Sequence, residues 1–535
     1  MFDFNPLTRK AAVLALLALL LLNCNILNRS GADNPAASFG VERENALFLQ
    51  SSQPLTFDPA LTHGGPDGAL GHIFSGLVQL DGDLRVQPDL AAGWDVDDTG
   101  TIYTFYLYHN AVFHDGRPLT AEDVIFSWER AADPTTGSDT AQTYLGDIVG
   151  LNEKVAGETQ QIAGLQALDA HTLQVRIDAP KVYFLAKLAY PVAFVVDRHN
   201  VGDAGWQREP NGSGPFRLRA WRDDELMVLE RNEDYYRRPP ELAHVVLRMD
   251  AGLSLARYEQ GQIDLVGVGG ANLERVQDPN SSLFAQLRTG VSMCTTYVGF
   301  NSRQPPFDDA RVRQAFVQAL DRERLVSGLL DGNALPAAGP LPPGMPGYVA
   351  REPRHAFDPQ QARALLEEAG FNAQTLPQLT YTTSGYGEVG AFEAAVISMW
   401  QDNLGVSVQP QLLDPFVYNE QLYAGNVGHL FSSGWCADYP DPQNFLDVLF
   451  HSDSAQNLGG FHDAQIDAML EEARAIPDVA QRLATYGEIE ARIVDQSAAV
   501  FVAHSLSAVL VKPHVQGYRL TPIGVPQWHT LSLSR

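Results

Sequence analysis

Basic residues are scarce in this chain: 37 Lys and Arg stand against 64 Asp and Glu, a formal net charge of −27 at pH 7. Phosphate backbones are held by clustered Lys and Arg, so the balance argues against a nucleic-acid partner. It fits a solvated acidic surface or an affinity for cationic ligands. No apolar run reaches the roughly 20 residues that a membrane-spanning helix requires. Enzyme motifs are missing too. There is no G-x-S-x-G elbow, no G-x-x-x-x-G-K loop and no H-E-x-x-H helix, and the G-V-G-G at 267–270 does not complete a dinucleotide fingerprint. His109 and His114 lie five apart with no Cys or second His pair to complete a metal set, so neither a metal nor a cofactor is expected. Repeats of solenoid length and low-complexity blocks are also lacking.

What is present describes a folded chain of two or three domains: 535 residues, 45% hydrophobic and 19% charged. Arg9 and Lys10 precede an unbroken apolar run at 11–22, which ends at Asn23-Cys24. A basic segment followed by so short an apolar one is the pattern of a secretory signal peptide, here 1–23. Leu21 stands three positions before Cys24, as at a bacterial lipoprotein cleavage site, whereas Asn23 departs from the small residue usual there. Lipidation of Cys24 and a short uncleaved anchor both stay open. The remaining cysteines, Cys294 and Cys436, can pair in an oxidising compartment or persist as separate buried thiols, and their spacing does not decide.

Residues 24–40 read as a tether. Strands follow at 46–49 and 102–107, the second rich in β-branched and aromatic residues. Thr120 with Asp123 predicts a capping box, and Val124, Trp128 and Ala131 follow at helical spacing until Asp133-Pro134. Asp308 or Asp309 caps a helix with Val312, Phe316 and Leu320 on one face, closed by Gly332. Asp358-Pro359 opens another, stopped by Gly370. Strands at 379–382, 406–412 and 429–435 then alternate with helices at 391–404 and 415–424. Helices at 463–476 and 478–496 precede a strand at 498–503. This alternation predicts an α/β unit with a mostly parallel sheet.

One constellation stands out. Ser432-Ser433-Gly434-Trp435-Cys436-Ala437-Asp438-Tyr439-Pro440-Asp441-Pro442 follows directly on a buried strand, at the end where α/β domains bind ligands. Asp438, between Trp435 and Tyr439, would be partly desolvated and would seek a cation; the plainer reading is a turn-forming surface aspartate.

At these residues the chain resembles the peptide- and nickel-binding receptors of ABC importers, solute-binding protein family 5, and within them the oligopeptide-binding branch. Further matching segments run in the family order: Ala92-Gly93-Trp94, residues 113–124 (FHDGRPLTAEDV), Asn211-Gly212-Ser213-Gly214-Pro215-Phe216, and Leu229-Glu230-Arg231-Asn232 with Tyr235-Tyr236. Two segments resemble the oligopeptide branch in particular: Cys294-Thr295-Thr296-Tyr297 with 307–313 (FDDARVR), and Gly434-Trp435-Cys436-Ala437-Asp438-Tyr439. The resemblance implies a Cys294–Cys436 disulfide and an Asp438 that holds the α-ammonium of a bound peptide. It also implies that His63-Gly64-Gly65 and Ser433-Gly434-Trp435 hydrogen-bond the peptide main chain, with Tyr439 in the same site. Such strand-like pairing ignores side-chain identity and suits peptides of many sequences. Glycines at 64, 65 and 434 let a ligand backbone approach with no Cβ in the way. The chain departs from its relatives at Tyr423 and Ser432, where arginines are expected.

The fold implied is α/β, a two-lobed periplasmic-binding-protein architecture with a hinge. One lobe would hold 41–293 plus 506–535, with an extra subdomain about 76–190, and the other 294–505. The function implied is that of a monomeric extracytoplasmic receptor, in the periplasm or lipid-anchored through Cys24, which delivers short peptides to a membrane permease without catalysis. The alternatives are the same receptor for a metal chelate, haem or oligosaccharide, and an exported peptide hydrolase. If the leader and Cys24 act as read, the mature chain begins at or after Cys24, and Cys24→Ser moves it from the membrane to the soluble fraction. Protein recovered from the cytoplasm with Met1 intact would contradict this.

Overall fold

Two strands of 14 and 13 residues, more than twice the usual length, organise the architecture. The computed structural model describes residues 34–62, 68–330, 332–372, 374–525 and 527–534. Its large sheet comprises, in chain order, β1 (Ala46–Gln50), β2 (Phe216–Arg222), β3 (Leu226–Arg231), β4 (His244–Arg248), β5 (Leu265–Gly267), β6 (Leu287–Phe300), β7 (Ala334–Pro336), β8 (Leu379–Ser384), β9 (Val408–Leu413), β10 (Leu430–Cys436) and β11 (Ala499–Val511). Their spatial order is β9-β8-β10-β6-β11-β5-β1-β4-β3-β2, with β7 added on β11. The long pair, β6 and β11, runs through both halves.

The two long strands are antiparallel, and their register slips twice: between Val291 and Thr295, where Leu506 and His504 are the partners, and between Thr296 and Tyr297, opposite Ala503 and Phe501. In the first bulge the Met293 main chain turns to other neighbours: its N–H donates to Pro522 O and its carbonyl accepts from Ala437 N, each at 2.8 Å. A bulge of this kind bends a strand and raises its local twist.

The sheet is mixed, where the alternation of elements predicts a mostly parallel one. β8 is parallel to β9 and β10, but β6 opposes both β10 and β11. The reason is topological. β6 enters this half of the sheet from the other one, and so runs against the strands that the helical crossovers deliver. A second, four-stranded antiparallel sheet is built from Ala91–Val96, Ile102–Leu107, Thr172–Arg176 and Leu165–Asp169. Phe105, Leu173, Trp128 and Phe184 fill its core, and Tyr439 joins them from the far end of the chain.

Local signals explain most element boundaries. The Ala121–Ala131 helix starts on the Thr120/Asp123 capping box. Asp309, Asp358, Asp414, Asp463 and Asp478 each cap a helix through a side-chain oxygen. The single helix expected up to Gly332 is two, Ala310–Gln318 and Arg322–Leu329, because Asp321 accepts from Arg324 N and starts a new one. The expected strand at 498–503 continues to Val511, since its later residues pair with the first half of β6. In the 211–214 turn a Cβ on Gly212 would lie 2.0 Å from Ile73 O, and one on Gly214 2.4 Å from His72 O, so only glycine lets these backbones touch.

Cys294 and Cys436 face each other across β6 and β10 and are joined as a disulfide that closes 142 residues. In the chain-entropy model a loop of that length contributes at most about 5 kcal/mol. The Cys294→Ser/Cys436→Ser double variant is therefore expected to unfold at lower denaturant with a loss below that ceiling. Two titratable thiols in the denatured, unreduced mature protein would retire the bridge.

Candidate functional site

Strand β10 ends in an open edge. On one side it pairs along its whole length with β6, from Leu430 opposite Phe300 to Cys436 opposite Cys294. On the other side β8 pairs only at Tyr381 with Leu430 and Thr382 with Phe431, then follows β9 to Ser384. Residues 433–436 thus have no strand on that side among the described residues. Unpaired N–H and C=O groups of this kind template a further strand. Gly434 is exposed on this edge, and Trp435 and Ser433 are half-buried. The Ser433 hydroxyl is hydrogen-bonded to the Tyr297 phenol across the ladder. His63, Gly64 and Gly65 lie outside the described residues.

Beyond the edge stands Asp438. Tyr144 Oη donates to its Oδ2 at 2.5 Å and Asn444 Nδ2 donates to the same oxygen at 3.2 Å. Asn444, fully buried at the start of the Gln443–Phe450 helix, also accepts from Asp438 N at 3.0 Å and from Trp435 Nε1 at 3.2 Å. One amide therefore fixes both the carboxylate and the indole. Tyr144 is held flat against Tyr190, ring centroids 3.6 Å apart, with the edge of Tyr439 on its other flank. Tyr439 itself is completely buried, its hydroxyl 2.5 Å from Gln443 Oε1, so it positions Tyr144 and leaves the edge to Trp435.

The electrostatics single Asp438 out. Eight other aspartates are buried: Asp58, Asp89, Asp123, Asp147, Asp197, Asp264, Asp441 and Asp447. Each has a basic partner, from Arg130 on Asp58 to Arg474 on Asp447. Asp438 keeps some surface, yet its carboxyl is enclosed, and no Lys, Arg or His pairs with it among the described residues. Burial pushes its pKa up to about 6, against the lowering pull of the Tyr144 and Asn444 hydrogen bonds. A desolvated carboxylate with two donors and, among the described residues, no cation favours an incoming ammonium. Among the described residues no group of three or more His, Cys, Asp or Glu could hold a metal ion.

Sequence reasoning found the strand and the aspartate because they are contiguous. It missed Tyr144, which arrives from the second sheet's subdomain 294 positions away, and Asn444, whose role depends on a buried helix start. Only the proximity of Asn444 to the Pro440-Asp441-Pro442 turn hinted at it.

Residues 85–457 match the model of bacterial extracellular solute-binding proteins, family 5 middle. The chain is 31% identical over 507 residues to the periplasmic oligopeptide-binding protein OppA of Salmonella typhimurium, covering 91% of this chain and 92% of that one. It is also 31% identical over 527 residues to the probable deoxycholate-binding periplasmic protein YgiS of Escherichia coli, covering 94% and 95%. The solved structure of the Escherichia coli murein tripeptide binding protein MppA superposes with a TM-score of 0.82 at 27% identity, over 92% of this chain and 99% of that one. With the match spanning more than half its length, the chain belongs to family 5 of the bacterial extracellular solute-binding proteins.

Proposed function

We propose that this protein is the receptor of an ABC importer that captures short peptides and hands them to a membrane permease. The observation that carries the reading is the enclosed carboxylate of Asp438, which no cation among the described residues pairs, at the end of an open strand edge. A peptide supplies what both lack: main-chain donors and acceptors for residues 433–435, and an α-ammonium for Asp438. The similarity to OppA and MppA supports it.

In this reading the lobes are 41–293 plus 506–535, with an extra subdomain about 76–190, and 294–505. The hinge lies where β6 and β11 slip register, near Met293 and Ser505, and the lobes close on the ligand. No bond is made or broken. The protein works as a monomer outside the cytoplasm, tethered when Cys24 carries a lipid. By the family resemblance, His63, Gly64 and Gly65 also hydrogen-bond the peptide main chain. A second reading, a receptor for a non-peptide solute, draws on the equal identity to the probable deoxycholate-binding protein.

Calorimetry with two proteins and two peptides decides between them. Truncating one member of a desolvated charge pair costs about 3–5 kcal/mol, so Asp438→Ala is expected to weaken peptide binding by roughly 10²- to 10³-fold. N-acetylating the peptide should hurt the natural protein comparably and add little in the variant, the non-additivity of a shared contact. Equal affinities in all four combinations would remove Asp438 from the site. If no peptide binds while bile-acid probes do, the second reading wins.

The pH dependence has a definite sign. Asp438 in the free protein protonates near 6, above its ordinary 3.8, so acidification discharges the group that attracts the ammonium. From pH 7 to pH 5 affinity should fall by about tenfold. The free protein responds the other way at this residue. Its buried charge costs stability above pH 6, and that cost is relieved as pH falls toward the ordinary value. The natural protein should therefore gain thermal stability relative to Asp438→Asn on acidification.

A further inference from the structure

From residue 364 to residue 473 the chain contains fifteen Asp and Glu and no Lys or Arg. This stretch supplies β8, β9 and β10 with the helices between them, so one whole side of the open edge is built without a fixed cation. The end of the edge opposite Asp438 is the fork where β8 and β10 part, and it is lined by hydroxyls. Tyr418 Oη donates to the Ser432 carbonyl, which closes the edge to further main-chain pairing. Tyr381 Oη and Ser432 Oγ are 2.9 Å apart, and Tyr381 is otherwise buried against Trp400.

The charged group hydrogen-bonded to these hydroxyls among the described residues is Glu393, half-buried in the first turn of the Ala391–Leu404 helix. Ser432 Oγ donates to Glu393 Oε1 at 3.1 Å and Thr383 Oγ1 donates to the same oxygen at 3.3 Å. Among the described residues Oε2 accepts no hydrogen bond, and no Lys, Arg or His pairs with the carboxylate. A helix N-terminus favours a negative charge at this position. Two carboxylates without protein cations thus stand at the two ends of one open strand edge. Ser432 to Cys436 spans about 13 Å at the usual strand rise, and Asp438 lies two residues further. An extended ligand with its ammonium on Asp438 reaches the fork after about four to six residues.

We infer that Glu393 and the hydroxyls around it form a second cation-binding point, which makes this receptor prefer peptides bearing a lysine or arginine side chain about four to six residues from the α-ammonium. A ligand anion arriving there, whether an acidic side chain or a free carboxyl end, meets the Glu393 charge with no basic group from this stretch to offset it. The inference rests on the peptide reading and deepens it.

Hexa-alanine amides with a free amino end, carrying a single Lys or a single Glu at position 4, 5 or 6, test it by calorimetry on the full mature chain. At one position at least, the Lys peptide should bind about tenfold or more tightly than its Glu counterpart. Glu393→Gln, with its melting temperature checked, should shrink that ratio to about threefold or less, whereas Asp438→Asn should weaken all six peptides alike. Equal affinities of Lys and Glu peptides at all three positions would overturn the inference and leave the peptide reading intact. A tenfold ratio that persists in Glu393→Gln would overturn the role of Glu393, leaving the general acidic field as its source. Binding of none of the six would overturn both readings together.

Discussion

The antiparallel ladder between β6 and β11 is the constraint on which the rest of the molecule depends. Every other strand of the large sheet is hung from these two, directly or through a neighbour, and both halves share them. Hydrogen bonds run along most of their length, and the wider of the two register slips lies between Val291 and Thr295. That slip releases the Met293 main chain to Pro522 and Ala437, and so ties the bend to the segment that holds Asp438. The disulfide lies within this slip and pins β10 to β6 there, so motion at the slip would move the candidate site as a unit.

Charge is distributed in the interior with a clear logic. Burying a carboxylate is costly unless a cation and hydrogen bonds compensate. The eight buried aspartates obey this rule, most fully Asp147, which takes both Lys181 and Lys187. Around Asp438 the compensation is incomplete by one positive charge: Tyr144 and Asn444 satisfy lone pairs but cannot neutralise it. Tyr144 and Tyr439 also connect the subdomain of the second sheet to the β10 side. The same contacts that enclose the carboxylate therefore hold the two parts of the molecule together.

Much of this was legible in the sequence where the signal is local. The Thr120/Asp123 box, the cap at Asp308 or Asp309 and the Asp358-Pro359 start each act within one helical turn, and each begins a helix in the structure, the second at Asp309. The helix expected up to Gly332 breaks at Asp321, since a cap inside an apolar repeat competes with its continuation. The sheet is mixed where alternation predicts a parallel one, because strand direction is set by which half of the sheet a segment comes from, and periodicity holds no trace of that.

For function the division is similar. The sequence by itself determined the family resemblance, the acidic balance, the strand–turn segment with Asp438, and the residues able to pair as Cys294–Cys436. All are matters of residue type and contiguous order. Only the tertiary structure decided that Asp438 is enclosed without a cation, that Tyr439 supports Tyr144, and that β8 and β10 part so as to leave an open edge with Glu393 at its far end. The physical reason is that desolvation and pairing are properties of the neighbours a residue acquires. Here those neighbours come from positions up to 294 residues away, beyond the reach of any local pattern.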